Sequence, residues 1–326
     1  MNKTRASEIL SQFPGRRVIV VGDVMLDEYI WGQVNRISPE APVMVVDAER
    51  YSSVPGGAAN VVNNLCALGA TGAMVGVIGD DAAGRTLAEA LQGEGADTVG
   101  LVTATDRPTT RKTRIIAHSQ QVVRVDHEKR GSVSAQTAAE IGTVLDQLAE
   151  TADAIILSDY IKGVVSPEVI EACVRISKQK NIPLTGNLKP KTIGPGSALT
   201  VLTLNLLEAR QATGDEPLDS DEKVFEAGRA LLAETGSAHI LITRGSNGLT
   251  LVSAASPDAP QHVPARPVEV YDVAGAGDTV ISALTLALAV GATALEAVTL
   301  ANHTAAEAVK KVGVATVSPD EILASW

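Results

Sequence analysis

The strongest constraint on the fold is a regular alternation of short apolar runs with helical segments over residues 154–253. The apolar runs are rich in branched side chains, whereas the segments between them have helical periodicity. This alternation is typical of β-α-β units, which build a mostly parallel sheet with helices on both faces. We therefore predict an α/β fold. The strands predicted here are 154–158, 182–185, 201–204, 239–243 and 249–253, and helices begin at Pro167 and Asp221.

The same pattern continues toward both ends of the chain. Buried strands are predicted at residues 17–21 and 74–78, and a β-leaning run occupies residues 262–271. The composition shows no break between regions, so we expect a single domain over residues 1–326. The remaining predicted helices span residues 4–12, 80–94, 134–148, 278–290 and 294–312.

Two segments do not fit the alternation, and we predict that they form a small β lid. The first, near residues 29–50, is extended but contains two prolines, which suits an edge or flap segment. The second, residues 109–126, has the pattern of two strands (111–118 and 121–126) joined by a turn at Ser119-Gln120. Its alternation would leave an apolar face exposed on a monomer.

Composition and charge exclude several classes of protein. A net charge of −11 argues against a general nucleic-acid or anionic-membrane binder, but a local group of Lys and Arg can still hold a small anion. Cys66 and Cys173 have no CxxC or His partner, so neither a disulfide framework nor a zinc site is expected. The polar N-terminus has no apolar core of a signal peptide, and the longest apolar run, 280–290, is too short for a bilayer. We expect a cytoplasmic protein.

Residues 271–279, Tyr-Asp-Val-Ala-Gly-Ala-Gly-Asp-Thr, are the clearest candidate for chemistry. Gly275 and Gly277 permit a sharp turn and the close approach of a ligand, and a helical pattern starts near Asp278. The backbone N–H groups of Gly275, Ala276 and Gly277 can then face an anion at the helix N-terminus. Asp278 would lie beside that anion, within reach of an attacking hydroxyl. This is the arrangement of phosphoryl transfer to an alcohol.

On this stretch alone, two simpler explanations stay open. A Gly-x-Gly before a helix is often only a tight turn, and an Asp at a helix start is often only an N-cap.

Two other phosphate motifs are excluded. A dinucleotide fingerprint needs a small residue where Val280 stands, and no Gly-Lys-Ser/Thr of a Walker A loop occurs in the chain.

Polar residues also follow the first predicted strand and precede an Ala/Val/Leu helix. Open α/β sheets hold ligands at the carboxyl ends of their strands. Asp23 and Asp27 could therefore bond sugar hydroxyls, although one of them could simply cap the next turn. Gly56 and Gly57 would let a substrate lie on the backbone, and Asn60 can both donate to and accept from a hydroxyl.

Basic side chains concentrate in the second lid segment and in the Asp-Tyr-Ile-Lys turn after residues 154–158. A sugar phosphate carries a charge near −2 and cannot be buried without such partners. Arg also suits phosphate because it binds two oxygens at once. A solvated face is the simpler explanation, and we expect at least one of these residues to be only that. The candidates are Lys112, Arg114, Arg124 and Lys162.

Together, these strings resemble the ribokinase (PfkB carbohydrate kinase) family over essentially the whole chain. The resemblance rests on Asp-Val-Ala-Gly-Ala-Gly-Asp, on Pro-Gly-Gly-Ala-Ala-Asn and on Asn205-x-x-Glu208. Further strings resemble the members that act on D-glycero-β-D-manno-heptose 7-phosphate. They are residues 22–27, 36–42 and 157–163, and Gln120-Gln121 followed by Arg124-Val-Asp126.

The resemblance implies a ribokinase-like fold and transfer of the ATP γ-phosphoryl, with Mg²⁺, to the anomeric hydroxyl of that sugar. The product would be the 1,7-bisphosphate for ADP-heptose synthesis. A monovalent cation and a homodimer formed through the lid are also implied. By position, Asp278 is the base, residues 275–277 are the anion hole, and Asp23, Asp27, Gly56, Gly57 and Asn60 line the sugar site. The nucleotide and Mg²⁺ side is implied to hold Asn205, Glu208, Thr243, Gly245 and Asn302, with Glu208 toward the metal.

Several departures and alternatives stay open. Members usually have Ile-Asp-Pro-Lys-Gly where this chain has Gly186-Asn-Leu-Lys-Pro190, so Asn187 replaces an acidic group near the phosphates. Leu204 stands where Pro is usual, and Ala274 where Thr is common. Many members continue into a C-terminal nucleotidyltransferase, so we expect either a stand-alone kinase or a separated half. The alternatives are a kinase of another sugar or a nucleoside, and a non-catalytic sugar-binding relative.

Overall fold

A computed structural model describes residues 1–118 and 120–326, so Ser119 of the predicted turn lies outside the described residues. The strands span Arg17–Gly22 (β1), Val24–Ile37 (β2), Met44–Gly57 (β3), Thr71–Gly79 (β4), Leu101–Ala104 (β5), Arg111–Ala117 (β6), Gln120–His127 (β7), Ala154–Ser158 (β8), Leu184–Asn187 (β9), Val201–Asn205 (β10), His239–Thr243 (β11), Leu249–Ser253 (β12) and Ser256–Val263 (β13). The α-helices span Lys3–Leu10 (α1), Ala58–Ala67 (α2), Ala82–Gly93 (α3), Ala135–Leu148 (α4), Pro167–Lys180 (α5), Leu206–Ala212 (α6), Asp221–Thr235 (α7), Ala276–Ala289 (α8), Ala294–Ala308 (α9) and Pro319–Ala324 (α10).

Nine strands form the large sheet, in the order β13-β12-β11-β10-β9-β8-β1-β4-β5. Every neighbouring pair from β11 to β5 is parallel, while β12 and β13 add an antiparallel edge. The parallel pairs confirm the α/β prediction. They also bring the carboxyl ends of β1, β8, β9, β10 and β11 to one edge of the sheet, where ligands of open α/β folds bind.

The large sheet is buried on both faces, as its apolar strands require. In β1, Val18 and Val20 pack into a core with α2 and α8, whereas Ile19 and Val21 pack into a second core with α4 and α5. The two-residue period of a strand sends neighbouring side chains to opposite faces. A continuous apolar run in the sequence therefore corresponds to a strand between two helical layers.

Four strands form the small sheet, in the order β3-β2-β6-β7. The hairpin of β6 and β7 is present as predicted. The prediction for residues 29–50 was wrong in extent, because β2 and β3 pair from Val24↔Gly57 to Ile37↔Met44, with two register shifts along the way. The two prolines lie in the connection between these strands, at residues 38–43, where a missing N–H interrupts no ladder. Whether the small sheet acts as a lid stays a prediction.

Several other elements of the structure differ from the prediction. The prediction of a β-leaning run over residues 262–271 was wrong, because β13 ends at Val263. The next residues include Pro264 and Pro267, which have no N–H to donate to a strand ladder. Strand β5, most of β13 and helices α6 and α10 were not predicted, although Asn205 and Glu208 form a capping box that begins α6. Within the described ranges, no helix has both the length and the apolar composition needed to cross a bilayer.

Candidate active site

A cavity of about 240 Å³ opens at the carboxyl edge of the large sheet, against the N-terminus of α8. Loops that follow β8, β9, β10 and β11 form one side, and the first turn of α8 forms the other. The residues lining it that carry chemistry are Tyr160, Asn187, Lys189, Glu208, Thr243 and Asp278.

The first turn of α8 is built for close approach. Gly275 has φ +77°, and a Cβ there would lie 2.9 Å from Nδ2 of Asn60. One of the three predicted amide donors is not free, because the N–H of Ala276 donates to the carbonyl of Val273 at 3.2 Å. The N–H groups of Gly275 and Gly277 have no hydrogen-bond partner in residues 1–118 and 120–326. Of the three predicted amides, two are therefore free to face an anion in the described structure.

Asp278 is held by two side chains from other parts of the chain. Asn60 on α2 donates to its Oδ2 at 2.7 Å, and the Tyr160 hydroxyl donates to its Oδ1 at 2.7 Å. Although part of the residue reaches solvent, protein surrounds the carboxylate, and this burial raises the pKa of Asp278. The two hydrogen bonds and Lys189 oppose that rise. A fixed carboxylate with raised basicity is suited to accept a proton.

Two predicted sugar ligands have structural partners instead. Asn60 turns its amide toward Asp278, so it orients that carboxylate. Asp23 is buried and accepts the backbone N–H groups of Tyr160, Lys162 and Val164 at 2.8, 2.9 and 3.0 Å. These contacts show that Asp23 anchors the loop after β8. Its contact with a sugar, like that of Asn60, stays a prediction.

Each of the paired glycines has a local structural cause, which for Gly56 is Asp27 and for Gly57 is the carbonyl of Asp23. A Cβ on Gly56 would lie 2.1 Å from Oδ2 of Asp27, and Gly57 adopts φ +60° where α2 begins. Glycine is therefore needed for the packing of Asp27 against β3, whether or not a substrate lies there. Asp27 itself is buried and accepts a 2.6 Å hydrogen bond from Nη1 of Arg114.

The structure brings the four predicted basic residues together, and we call this group the cationic cluster: Lys112, Arg114, Arg124 and Lys162. Burial lowers the pKa of Lys112, and the other three cations lower it further. Arg114 and Arg124 lie directly opposite each other on β6 and β7, although like charges at such positions destabilise a sheet.

Three of these cations have acidic partners. Arg114 pairs with Asp27 at 2.6 Å, Arg124 with Asp126 at 2.8 Å, and Lys162 with Glu128 at 2.6 Å. The Lys112 ammonium has no hydrogen bond or ion pair in the described part of the chain. Instead it lies 5.9 Å from the centre of the Tyr160 ring. Lys112 is therefore the cation of the cluster most available to a bound anion.

The cationic cluster lies outside the cavity lining in the described residues, and the cavity itself contains Lys189. Its ammonium donates to Oε1 of Glu208 at 2.6 Å and to Oδ1 of Asn187 at 3.2 Å. The second oxygen of Glu208 accepts the N–H of Asn205, whose side chain in turn caps α6. Thr243 also lines the cavity, as predicted. Asn187, which stands where an acidic residue is usual in the family, thus contacts the Lys189 ammonium at the edge of the cavity.

Two residues predicted on the nucleotide side are not brought into this cavity. Gly245 lies in a short 3₁₀ turn after β11, with φ +57°. Asn302 on α9 donates to the carbonyl of Pro264 at 2.9 Å and so holds the chain after β13. Both lie outside the cavity lining among the described residues.

Tyr160 and Lys189 were missed as site residues. Each follows the last residue of a parallel strand by two positions, Ser158 of β8 and Asn187 of β9. That position is the signal that could have found them, because polar residues there meet at one edge of the sheet. Their aromatic and aliphatic parts made them less conspicuous than the carboxylates.

The residues present fit a magnesium ion that arrives with phosphates. No group of three or more His, Cys, Asp or Glu residues suited to a metal occurs in the described residues. Mg²⁺ often uses one or two carboxylates, with phosphates and water completing the shell. Glu208 supplies one carboxylate at the cavity, although Lys189 now contacts it. A resident metal held by protein alone is not supported.

Comparison with known proteins agrees with this geometry. The family model described as "pfkB family carbohydrate kinase" matches residues 16–321. The chain belongs to the pfkB family of carbohydrate kinases. The family expected from the sequence strings is therefore confirmed.

Curated relatives match the chain along nearly its full length. The chain is 42% identical over 323 residues to the bifunctional protein HldE of Pelobacter propionicus, covering 99% of this chain and 66% of that protein. It is 38% identical over 325 residues to the HldE protein of Geobacter sulfurreducens, covering 100% of this chain and 66% of that protein. The chain thus spans just under two thirds of the length of these relatives.

Solved structures confirm the ribokinase-like fold. The chain superimposes on Arabidopsis thaliana ribokinase complexed with ribose and ATP with a TM-score of 0.73 at 18% identity, covering 96% of this chain and 98% of the other. It superimposes on Escherichia coli phosphofructokinase-2 in complex with potassium with a TM-score of 0.77 at 17% identity, covering 94% and 97%. At such identities the likeness supports the fold alone.

Proposed function

We propose that this protein is an ATP-dependent kinase that phosphorylates the anomeric hydroxyl of D-glycero-β-D-manno-heptose 7-phosphate. The product would be the 1,7-bisphosphate, a precursor for ADP-heptose. Family membership and the HldE relatives support the substrate class. A cytoplasmic location is proposed with it, because two free thiols suit a reducing compartment where ATP is available.

One observation carries the proposal: Tyr160 connects the candidate base to the cationic cluster. Its hydroxyl donates to Asp278 at 2.7 Å, and the Lys112 ammonium lies 5.9 Å from its ring. A sugar with a phosphate at one end and a reacting hydroxyl at the other would meet a cation and a carboxylate separated by one side chain. A sugar or nucleoside without the phosphate would not need the Lys112 ammonium, which has no acidic partner in the described residues and lies beside this ring.

In the proposed reaction, the sugar hydroxyl gives its proton to Asp278 as its oxygen bonds to the γ-phosphorus. The bond from that phosphorus to the bridging oxygen breaks, and ADP leaves with its electron pair. The free N–H groups of Gly275 and Gly277 would face the transferred group and stabilise its negative charge. Mg²⁺ bound with ATP would neutralise phosphate charge, with Glu208 as the nearby carboxylate.

The deciding experiment is a coupled ADP-release assay on the purified protein with three acceptors. Heptose 7-phosphate, the unphosphorylated heptose and ribose are compared at equal concentration. We expect release with heptose 7-phosphate at least about tenfold faster than with the others, because a charge-assisted contact supplies roughly 1.5–3 kcal/mol. Equal rates on both heptoses would favour a kinase of another sugar. No release with any acceptor, together with tight sugar binding, would favour a non-catalytic relative.

We also propose that two copies associate through the small sheet. Val123 and Val125 on its edge strand β7 are 46% and 53% exposed, and apolar residues on an edge strand favour pairing with another chain. Light scattering at micromolar concentration should show a dimer. Val125→Lys should shift it to monomer, whereas Val99→Lys, at an exposed site between α3 and β5, should not. A monomeric wild-type protein would contradict the interface.

A further inference from the structure

The loop after β8 holds Tyr160 in place. Its backbone N–H donates to Oδ2 of Asp23 at 2.8 Å, which ties it to the end of β1. The following residue, Ile161, has φ +56°, a left-handed conformation that is costly for a β-branched residue. Oδ1 of Asp159 accepts the Ile161 N–H at 2.7 Å and stabilises this turn. The loop thus directs Tyr160 toward the cavity at some conformational cost.

The hydroxyl of Tyr160 has one role in this arrangement, that of a donor. Burial raises the pKa of Tyr160 well above its ordinary value, and the nearby Asp278 carboxylate raises it further. The phenol therefore stays protonated over the working pH range and cannot itself act as the base. Its proton points at Oδ1 of Asp278, 2.7 Å away.

Two cations lie near the ring of Tyr160, Lys112 from the cationic cluster and Lys189 from the cavity lining. The Lys112 ammonium of the cationic cluster is 5.9 Å from the ring centre, and the Lys189 ammonium is 5.5 Å from it. Such distances are within the range of cation–π attraction. The ring therefore keeps these like charges near the site, with an aromatic surface next to each.

We propose that Tyr160 is a positioning residue of the reaction, which holds the Asp278 carboxylate for the sugar hydroxyl. This inference rests on the proposed function, because it takes Asp278 as the base. Asn60 fixes the other oxygen at 2.7 Å, so the carboxylate cannot rotate while both donors are present. Each oxygen keeps a second lone pair, and one of these is left for the substrate proton. Tyr160 thus acts through Asp278 and not on the substrate phosphates.

Tyr160→Phe removes the donor and keeps the ring. The kcat should fall about tenfold or more, the scale of a lost hydrogen bond to a charged group. The KM values for ATP and heptose 7-phosphate should change less than about twofold, because the ring still faces both ammonium groups. Tyr51→Phe, at a 71% exposed site, is the matched control and should behave as wild type. An unchanged kcat in Tyr160→Phe would overturn the inference.

The pH profile separates a positioning role from a structural one. The groups facing Asp278 are Tyr160, Asn60, Lys189 and Asp27, and of these the Tyr160 hydroxyl, the Asn60 amide and Lys189 favour its ionised form. Removing the Tyr160 donor should raise the pKa of Asp278. The acid limb of kcat/KM should therefore move to higher pH, by about one unit if the bond is of ordinary strength. An equal loss of rate at every pH would contradict positioning of the base.

A measurement without substrate keeps this inference distinct from the proposed function. The ¹³C chemical shift of the Asp278 carboxyl is followed against pH in wild type and Tyr160→Phe, with Asp278→Asn used for assignment. A higher pKa in Tyr160→Phe would support the inference even if heptose 7-phosphate proves not to be the acceptor. Identical titration curves would overturn it even if the kinase is active.

Discussion

Two regions meet at Tyr160 and are held in different ways. The first region, which we call the wall, comes from α2, from β9 and the loop after it, from α6 and from α8, and consists of Asn60, Asn187, Lys189, Glu208 and Asp278. The cationic cluster comes mostly from one hairpin, β6 and β7. Hydrogen bonds link the wall in two groups, Asn60 with Asp278 and Lys189 with Asn187 and Glu208. Three of the four cluster cations instead form ion pairs with acids of the small sheet and the loop after it.

The difference indicates that the two regions have different functions. Groups linked across the large sheet cannot move one at a time, which suits chemistry that needs fixed geometry. Cations on one hairpin can exchange an acidic partner for a ligand anion, which suits recognition. Changes in the wall should therefore lower turnover or weaken nucleotide binding. Changes in the cluster should weaken the binding of one particular acceptor.

The largest effect is expected for Asp278→Asn. The amide keeps the shape of the side chain but cannot take the proton, so turnover should fall at least about a hundredfold. ATP binding, measured by calorimetry, should be unchanged, and the unfolding midpoint should move little. Asp258→Asn, at an exposed site on β13, is the control. Turnover near that of the wild type would show that Asp278 is not the base.

Next is Lys112→Met, which keeps the apolar stem and removes the charge from the cationic cluster. Since Lys112 is the cluster cation for which the described residues show no acidic partner, the KM for heptose 7-phosphate should rise about ten- to hundredfold. The KM for ATP should stay within about twofold. Steady-state kinetics with each substrate varied in turn would measure both. A rise in both constants would mean that the two regions are not separable.

A moderate effect is expected for Glu208→Gln at the far end of the wall. The change removes the carboxylate that contacts Lys189 at 2.6 Å and that is available to a nucleotide-bound metal. We expect the KM for MgATP to rise about tenfold, with the phosphosugar KM unchanged. Titration of Mg²⁺ at fixed ATP should show that the variant needs a higher Mg²⁺ concentration for half-maximal activity. An unchanged Mg²⁺ dependence would contradict a role for Glu208 near the metal.

The smallest effect is expected for Arg124→Ala. Its side chain is 48% exposed and already paired with Asp126, so solvent screens much of its attraction for a phosphate. The phosphosugar KM should rise only about threefold, a change of about 0.7 kcal/mol. Arg36→Ala, in the small sheet but outside the cluster, is the matched control. A loss as large as that of Lys112→Met would show that Arg124 is a principal phosphate ligand.

The same two regions differ in how far the sequence predicts them. The strands 154–158, 239–243 and 249–253 were predicted with the observed bounds, because apolar runs between two helical layers are distinctive. The small sheet is half exposed, so its alternation is weaker, and two prolines obscured the long pairing of β2 and β3. Strand existence follows from side-chain pattern, whereas strand pairing is a property of the folded chain.

Site residues follow the same rule. The 271–279 stretch predicted the helix start and the place of Asp278 because glycine spacing is a local signal. It could not show that the Ala276 amide is used by Val273, or that Asn60 faces Asp278 from 218 positions away in the sequence. The convergence of Lys112, Arg114, Arg124 and Lys162 was predicted from charge alone. Their acidic partners depend on register and were not predicted.

The ribbon of β2 and β3 has a mechanical consequence. It leaves the core at Val24, one residue after Asp23, and returns at Gly57, three residues before Asn60. Its two anchor points therefore adjoin the residue that ties down the Tyr160 loop and the residue that orients Asp278. A force applied at the far end of the ribbon, near Ile37 and Met44, acts through a long arm on both anchors at once. Bending of the ribbon would therefore displace Asp23 and Asn60, and with them the side chains that surround Asp278.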